Sequence, residues 1–322
     1  MVRAHDILIF LEQVNKQIPF KGTIRYDEPL SAHTTFKVGG TADVWICPSA
    51  DVFQDYAAHL LTSAYAEGIR IFILGGGANT VPSDAGFRGI VLDSGGYTGL
   101  LAEEADSASF AAGTRIDTVA ALTADRGWGG FEFLAGMPGS VGGAVYMNAR
   151  CYETSVSDRL METTVLELED RTFRKKIKPF RETDFGYKKS PFQYDQTDPS
   201  RQILVLSAKF SIYQRESALI REEMDVLRKA RETKGHYRFP SAGSSFKNNH
   251  AFGKPVGKII DELGLRGLSH GGAMIAPFHG NIIVNTGTAT ATDIHLLMDE
   301  VKETVLKNTG FVLEPEIIFY KE

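Results

Sequence analysis

The sequence predicts a mixed α+β protein built around more than one core. The chain has 322 residues with 43% hydrophobic content, enough for two or three packed domains. Helix-period and strand-period apolar patterns alternate along it, and an opening strand, helix, strand succession gives way to strands in a less regular order.

The elements follow in turn. Asp6 opens a helical pattern whose apolar positions Ile7, Phe10, Leu11 and Val14 stand at i, i+3, i+4 and i+7, one face of a helix that Pro19 ends. After a loop, residues 42–47 form a strand, 51–67 an amphipathic helix closed by Gly68, and 70–74 a second strand. A glycine-rich loop at 75–84 then joins strand to strand, because the next pattern, 89–93, has strand character again. Further along stand a strand at 108–112, a helix at 116–126, a long glycine-rich stretch at 127–143, and strands near 163–168 and 203–212. Residues 216–234 are charged with helical spacing at Ile220, Met224 and Leu227, and link this body to a smaller C-terminal unit. There, Val256, Ile259, Ile260 and Leu263 mark a short helix ended by Gly264. Thr290 and Asp293 form a capping-box pattern ahead of Ile294, Leu297, Met298, Val301 and Val305, Gly310 follows, and 317–320 is the final strand.

Composition narrows the partners. A net charge of -5, with no local concentration of Lys and Arg, argues against nucleic acid or an anionic membrane and favours a small-molecule ligand. Cys47 and Cys151 lie far apart and predict free thiols in a reducing, cytoplasmic compartment. The apolar run from Ile7 to Leu11 is flanked by His5, Asp6 and Glu12 and falls short of the roughly 20 residues a membrane span needs, so neither a signal peptide nor a membrane segment is expected. The eight histidines never pair at metal-ligand spacing, and no metal is expected.

Four places could carry chemistry. In Gly75-Gly76-Gly77-Ala78-Asn79-Thr80, the absence of large side chains lets backbone N–H groups approach a pyrophosphate. It is not a dinucleotide fingerprint, since a strand rather than a helix follows, and it lacks the Gly-Lys-Ser/Thr ending of a P-loop. A glycine-rich hairpin turn explains it equally well. Gly136-Met137-Pro138-Gly139-Ser140-Val141-Gly142-Gly143 is a second small-residue segment; two such loops suit one long cofactor, and a tightly packed turn is the even alternative. Pro240 to Asn248 sets the Ser244 hydroxyl beside Lys247 and Asn248, where a surface Ser/Asn turn is the bland reading. His236 and His250 lack a diagnostic spacing to it and no Gly-x-Ser-x-Gly elbow is present, so a hydrolase triad is not supported. Glu316 lies between Pro315 and an apolar strand, facing solvent or a cleft; a solvated edge residue is the ordinary answer. Trp45 and Trp128 read as packing residues.

Taken together, Thr34-Thr35-Phe36-Lys37-Val38-Gly39-Gly40, the loop at 75–80, Phe131-Glu132-Phe133-Leu134-Ala135-Gly136-Met137-Pro138-Gly139, Phe185-Gly186-Tyr187-Lys188-Lys189-Ser190, the segment at 240–248 and Leu313-Glu314-Pro315-Glu316 resemble the UDP-N-acetylenolpyruvoylglucosamine reductases, in the same order from about Thr34 onward. The resemblance implies a two-lobed FAD-binding body of the vanillyl-alcohol-oxidase type, a smaller α+β substrate-binding domain, and NADPH as reductant. It divides the chain into lobes at 1–80 and 81–232, a substrate domain at 233–309 and a strand at 310–322 that returns to the body. It further implies that Gly75, Gly76, Gly77, Ala78, Asn79 and Thr80, with Gly136, Met137, Pro138, Gly139, Ser140, Gly142 and Gly143, hold the flavin. Ser244 matches the proton-donating serine, Glu316 the catalytic glutamate, and Lys234 and Asn248 residues that contact the nucleotide sugar, with Tyr187 at the same site. The chain lacks the tyrosine-bearing insertion of longer members and resembles the shorter subtype, expected to act as a monomer.

Three departures stand out. The usual Tyr-Arg-x-Ser is Tyr187-Lys188-Lys189-Ser190, which puts Lys188 in the place of a catalytic arginine; Ala78 replaces a serine; and the glycine-rich run after Met147-Asn148-Ala149 is Arg150-Cys151-Tyr152-Glu153. The implied chemistry is hydride delivery to the β-carbon of an enolpyruvyl ether followed by protonation from Ser244, with Lys188 beside the developing negative charge. Two competing expectations are a flavin-dependent oxidase of the same fold acting on another substrate, and a nucleotide-sugar-binding flavoprotein whose activity has lapsed.

Overall fold

The computed structural model describes residues 4–195 and 198–320. The chain runs through α1 (Ala4–Gln17), β1 (Gly22–Pro29), β2 (Thr41–Pro48), α2 (Phe53–Glu67), β3 (Ile71–Leu74), β4 (Thr80–Pro82) and β5 (Phe87–Asp93). It continues with β6 (Leu100–Glu103), β7 (Ser107–Ala111), α3 (Ile116–Asp125), β8 (Trp128–Gly129), α4 (Val141–Tyr146), β9 (Arg150–Cys151), β10 (Thr154–Ser155), β11 (Leu160–Glu169), β12 (Thr172–Pro179), β13 (Ile203–Ser211) and β14 (Tyr213–Gln214). Last come α5 (Ser217–Thr233), β15 (Ser241–Ser244), α6 (Val256–Glu262), β16 (Ser269–His270), β17 (Ala273–Ile275), β18 (Ile282–Asn285), α7 (Ala291–Thr309) and β19 (Ile318–Tyr320). The α+β class expected from the pattern is the class observed.

The backbone divides into two units, the larger formed by residues up to 28, 42–76 and 88–228, the smaller by 29–41, 77–87 and 229 onward. The larger unit holds a four-stranded sheet in the order β1-β2-β5-β3, with β3 and β5 parallel, and a five-stranded antiparallel sheet in the order β12-β11-β13-β7-β6. The apolar stripe of α1 (Ile7, Phe10, Leu11, Val14) and that of α2 (Phe53, Tyr56, Ala57, Leu60, Leu61, Ala64) share one core with Ile90 and Leu92 of β5 and Leu166, Leu204 and Leu206 of the larger sheet. Each such side chain stabilises the fold by about 1.5–3 kcal/mol on burial. Gly68 ends α2 in the left-handed conformation, φ 67°, as its position after the stripe requires. A second core gathers Phe110, Phe131 and Phe210, the last two edge to face with ring centroids 5.6 Å apart.

The smaller unit has a four-stranded sheet, β15-β18-β17-β16, and a parallel β4–β19 pair. Its core combines Phe36, Val38 and Val81 with Val256 and Ile260 of α6 and Ile294, Leu297, Val301 and Val305 of α7. The expected capping box is formed: the Thr290 hydroxyl accepts from Asp293 N and the Asp293 carboxylate accepts from Thr290 N, both at 3.0 Å, while Gly310 closes α7 at φ 74°.

Several features differ from the sequence expectation, among them β1 (Gly22–Pro29), which lies where a loop was expected. The loop at 75–84 is interrupted by β4, whose pairing partner β19 lies far along the chain. The glycine-rich 127–143 stretch contains the start of α4. Strand β12 gave no apolar run because it is an edge strand bristling with Lys175, Lys176 and Lys178, of which Lys176 and Lys178 pair with Glu167 of β11.

Candidate functional site

The two small-residue segments meet through Ser140. Its hydroxyl oxygen, buried at 3% exposure, caps α4 by accepting from Gly143 N (3.4 Å) and also accepts from Gly76 N (3.2 Å). A Cβ on Gly76 would lie 2.6 Å from the Gly139 Cα, and one on Gly75 would lie 2.6 Å from the Ser140 oxygen, so close approach of the two turns excludes side chains here. Gly136 N donates to Asp117 Oδ1 at 2.7 Å, and Arg228 donates to the same oxygen at 3.0 Å. Burial raises the Asp117 pKa, but these two bonds and the charges of Arg228 and Arg115 outweigh it and hold the carboxyl below its ordinary value. Met137 N and Gly142 N are bonded to Leu134 O and Ala112 O, which fixes the turn on either side of Pro138.

The first turn continues into the smaller unit at Gly77. There φ is 59° and a Cβ would lie 2.0 Å from His33 O, a steric demand for glycine. Thr35 N donates to Gly77 O, and the Thr35 hydroxyl donates to Ser241 O at 2.7 Å, so the motif at 34–40 anchors the turn and the Ser244 strand. Ala78 leads to Asn79, whose amide donates to Glu316 O at 2.9 Å while its own carbonyl accepts from Ile318 N, and Thr80 begins β4.

Neither turn carries a carboxylate. The Ser140 oxygen accepts two N–H bonds and its own hydrogen has no acceptor among the described residues, so an anionic oxygen is what this donor set lacks. The residues thus fit the diphosphate of a flavin dinucleotide: the segments themselves contribute no carboxylate, and the one carboxylate bonded to them, Asp117, is engaged by Gly136 N and Arg228.

Tyr187 and Lys188 form a two-residue reversal in the larger unit, closed by reciprocal bonds between Gly186 and Lys189, 3.1 Å each. Lys188 takes a left-handed φ of 55°. Asn148, itself at φ 41° and 3% exposed, donates from its amide to Gly186 O (2.9 Å) and accepts from Ser157 N (3.0 Å). Ser190 donates to Tyr146 O at 2.7 Å. The run at 146–148 therefore holds the Tyr187–Lys188 reversal from behind, and the Arg150 guanidinium lies over the Tyr187 ring, 6.0 Å from its centroid.

In the smaller unit, Ser244 ends β15 opposite Ile282 of β18. The next residues turn inward: Ser245 and Phe246 are 1% exposed. Asn281 locks them, its carbonyl oxygens accepting from Ser245 N and Phe246 N and its amide donating to Phe246 O at 2.8 Å. Glu316 N donates to Ser245 O, and Lys247 N to Glu314 O, so the segment bearing Ser244 is paired with the one bearing Glu316. A surface turn at Ser244 and a solvated edge position for Glu316 are both overturned: the first is a strand end against a buried core, and Glu316 is only 9% exposed because pairing draws it in. Asn248 accepts from Val256 N at 2.9 Å, fixing its side chain at the entrance to α6. Lys234 is exposed just beyond α5. Two residues later His236 faces His279, ring centroids 6.3 Å apart, and burial, then the charges of Arg231, His279 and Lys234, pushes its pKa down to about 4.

The structure thus brings Ser244, Asn79 and Glu316 onto adjoining segments of one unit, and Tyr187 with Lys188 and Arg150 onto the other. Asp117, Asn281 and Arg150 escaped the sequence reading; only Arg150 had a signal, its intrusion into a run usually rich in glycine.

Residues 54–172 match a family model described as an FAD binding domain. Joined to the two glycine turns that meet at Ser140, this defines the protein as an FAD-dependent oxidoreductase. Residues 235–320 match the C-terminal domain of UDP-N-acetylenolpyruvoylglucosamine reductase. Proteins of that name from Treponema denticola, 40% identical with 93% of this chain and 94% of the relative covered, and from Borreliella burgdorferi, 34% identical with 96% of each covered, are similar over nearly the whole length. The crystal structure of the same reductase from Thermus caldophilus superposes with a TM-score of 0.72 at 29% identity, covering 94% of this chain and all of that one, 100%. The chain belongs to the UDP-N-acetylenolpyruvoylglucosamine reductase family, FAD flavoproteins of peptidoglycan precursor synthesis. No helix among the described residues is long and apolar enough to cross a membrane.

Proposed function

We propose that this protein reduces the enolpyruvyl ether of a UDP-N-acetylglucosamine to the corresponding lactyl ether, UDP-N-acetylmuramate, with NADPH as the source of electrons. The observation that carries the reading is the pairing of the Ser244 segment with the Glu316 segment, through Glu316 N and Ser245 O, which sets a hydroxyl and a nearly buried carboxylate in one unit.

FAD, when bound and reduced by NADPH, would supply a hydride for the substrate's β-carbon. Gly75 to Thr80 and Gly136 to Gly143 would hold that cofactor, with the Ser140 hydroxyl available as a donor to it. Hydride addition leaves negative charge spread over the α-carbon and the carboxylate. A fixed cation there lowers the barrier, typically by about 2.7–4 kcal/mol for one preorganised group. Lys188 provides this charge, and Glu316 orients the carboxylate end. Ser244 Oγ gives its proton to the α-carbon, a reaction for which a hydroxyl is acidic enough because the acceptor is carbanion-like. Tyr187, Lys234 and Asn248 bind the nucleotide sugar. The sum is balanced: one hydride and one proton add across the double bond.

The half-buried Cys47 and Cys151, which form no disulfide among the described residues, support a reducing, cytoplasmic setting; burial, then the charge of Asp93, pushes the Cys47 thiol up to about 11, which keeps it inert. The working unit is read as a monomer.

The test is the visible spectrum of the purified protein. A flavin band that bleaches with NADPH and returns, without oxygen, on addition of the enolpyruvyl UDP-sugar is expected. Fast reoxidation by oxygen alone would identify an oxidase, and a band that NADPH never bleaches would remove the reductase reading.

A further inference from the structure

Two departures from the family pattern, Lys188 and Arg150, come together in the larger unit. Arg150 lies on β9, and β9 and β10 form a hairpin with Cys151 opposite Thr154. Its two turn residues, Tyr152 and Glu153, have φ values of 49° and 69°, the left-handed region that favours glycine. A backbone suited to glycine here carries side chains instead. The Tyr152 hydroxyl reaches Leu227 O of α5 at 3.4 Å, and the Arg150 guanidinium lies over the ring of Tyr187, 6.0 Å from its centroid.

The placement is held from both sides. Two residues before Arg150, the buried Asn148 side chain bonds Gly186 O, so the spacing between β9 and the Tyr187–Lys188 reversal is fixed by a hydrogen bond. Arg150 is half-buried, and it forms no ion pair among the described residues. A guanidinium lying over a ring at this distance engages it through its charge and keeps its edge, with parallel N–H donors, available to a planar anion. Lys188, on the same reversal, offers an ammonium without that fork.

We infer that Arg150 is a carboxylate-binding residue of this reductase, supplying beside Tyr187 the planar donor pair that Lys188 lacks. The inference rests on the proposed function, in which the Tyr187–Lys188 reversal serves the enolpyruvyl carboxylate.

The experiment follows the two half-reactions of the flavin-loaded protein separately in Arg150→Met, Arg150→Lys, Lys188→Met and the double variant Arg150→Met/Lys188→Arg. Arg150→Met is expected to leave reduction by NADPH unchanged and to slow reoxidation by the UDP-sugar about a hundredfold, the effect of removing one preorganised donor. Arg150→Lys, which keeps charge and stem but not the fork, recovers only part of the rate, and arginine at 188 recovers more. A merely structural role for Arg150 predicts equal losses in both half-reactions and rescue by Arg150→Lys, and either result overturns the inference. Wild-type reoxidation in Arg150→Met with slow reoxidation in Lys188→Met overturns it while the proposed function stands. Wild-type reoxidation in both, and in Ser244→Ala, removes the functional reading and the inference with it. Should Arg150→Met fail to hold flavin, the comparison of Arg150→Lys with wild type decides alone, equal rates being the negative result.

Discussion

The Ser140 hydroxyl oxygen lies 3.2 Å from the amide nitrogen of Gly76, across 64 residues of sequence. One buried atom joins the two glycine turns and caps α4 as well. Replacing Ser140 with alanine removes the acceptor of the Gly76 and Gly143 N–H groups, which water can partly replace because neither glycine is buried, at a cost of about 0.5–1.5 kcal/mol. Thermal unfolding and flavin release should both shift; unchanged melting with unchanged flavin retention would contradict this.

Glycine substitutions should separate close approach from mere conformational freedom. At Gly76 a Cβ meets the Gly139 backbone at 2.6 Å, whereas at Gly253, φ 71°, it meets nothing within 4 Å. Gly253→Ala is expected to lose about 1–2 kcal/mol and keep its flavin, the ordinary strain of a left-handed alanine. Gly76→Ala should shed the cofactor. Equal flavin content in the two purified variants is the contrary outcome.

For Ser244, loss of the hydroxyl acts after hydride addition. Ser244→Ala should be reduced by NADPH at the normal rate and reoxidised by the enolpyruvyl substrate about 10²–10⁴-fold more slowly, the range of general acid catalysis. Stopped-flow absorbance of each half-reaction decides it, and equal slowing of both would assign Ser244 a structural role.

The depressed pKa of His236 predicts a particular acid sensitivity. Its pKa falls from the ordinary histidine value of 6.5 to about 4 on folding, so between these values the unfolded chain binds the extra proton. The stability linked to this neutral imidazole is fully present above pH 6.5 and is lost as pH falls toward about 4. A His236→Gln variant should show a shallower decline of melting temperature across that window than the native protein. Parallel curves would exclude the linkage.

How much of this was legible in the residues differs by element. The capping box of α7 and the stripes of α1 and α2 are local patterns, complete within a few turns of chain, and they appear where periodicity puts them. Strand β12 is not local in that sense: its side chains are charged because it lies at a sheet edge, and nothing in the segment says which sheet. The same holds at the candidate site. Ser244 and Glu316 were picked out by motif, but the burial of Glu316 comes from pairing with Ser245, and Asn281 acts on Phe246 from 35 residues away. Arg150 acquires meaning only once Tyr187 is known to lie beneath it.

The core of the smaller unit draws Phe36 and Val38, Val81, and residues from 242 onward out of three separate stretches of polypeptide. A fragment beginning near residue 229 therefore cannot be expressed as a free-standing module, whatever its resemblance to a domain. During synthesis, Phe36, Val38 and Val81 wait as exposed grease until roughly 160 to 200 further residues have been made, a stretch of vulnerability during which chaperone capture competes with late closure.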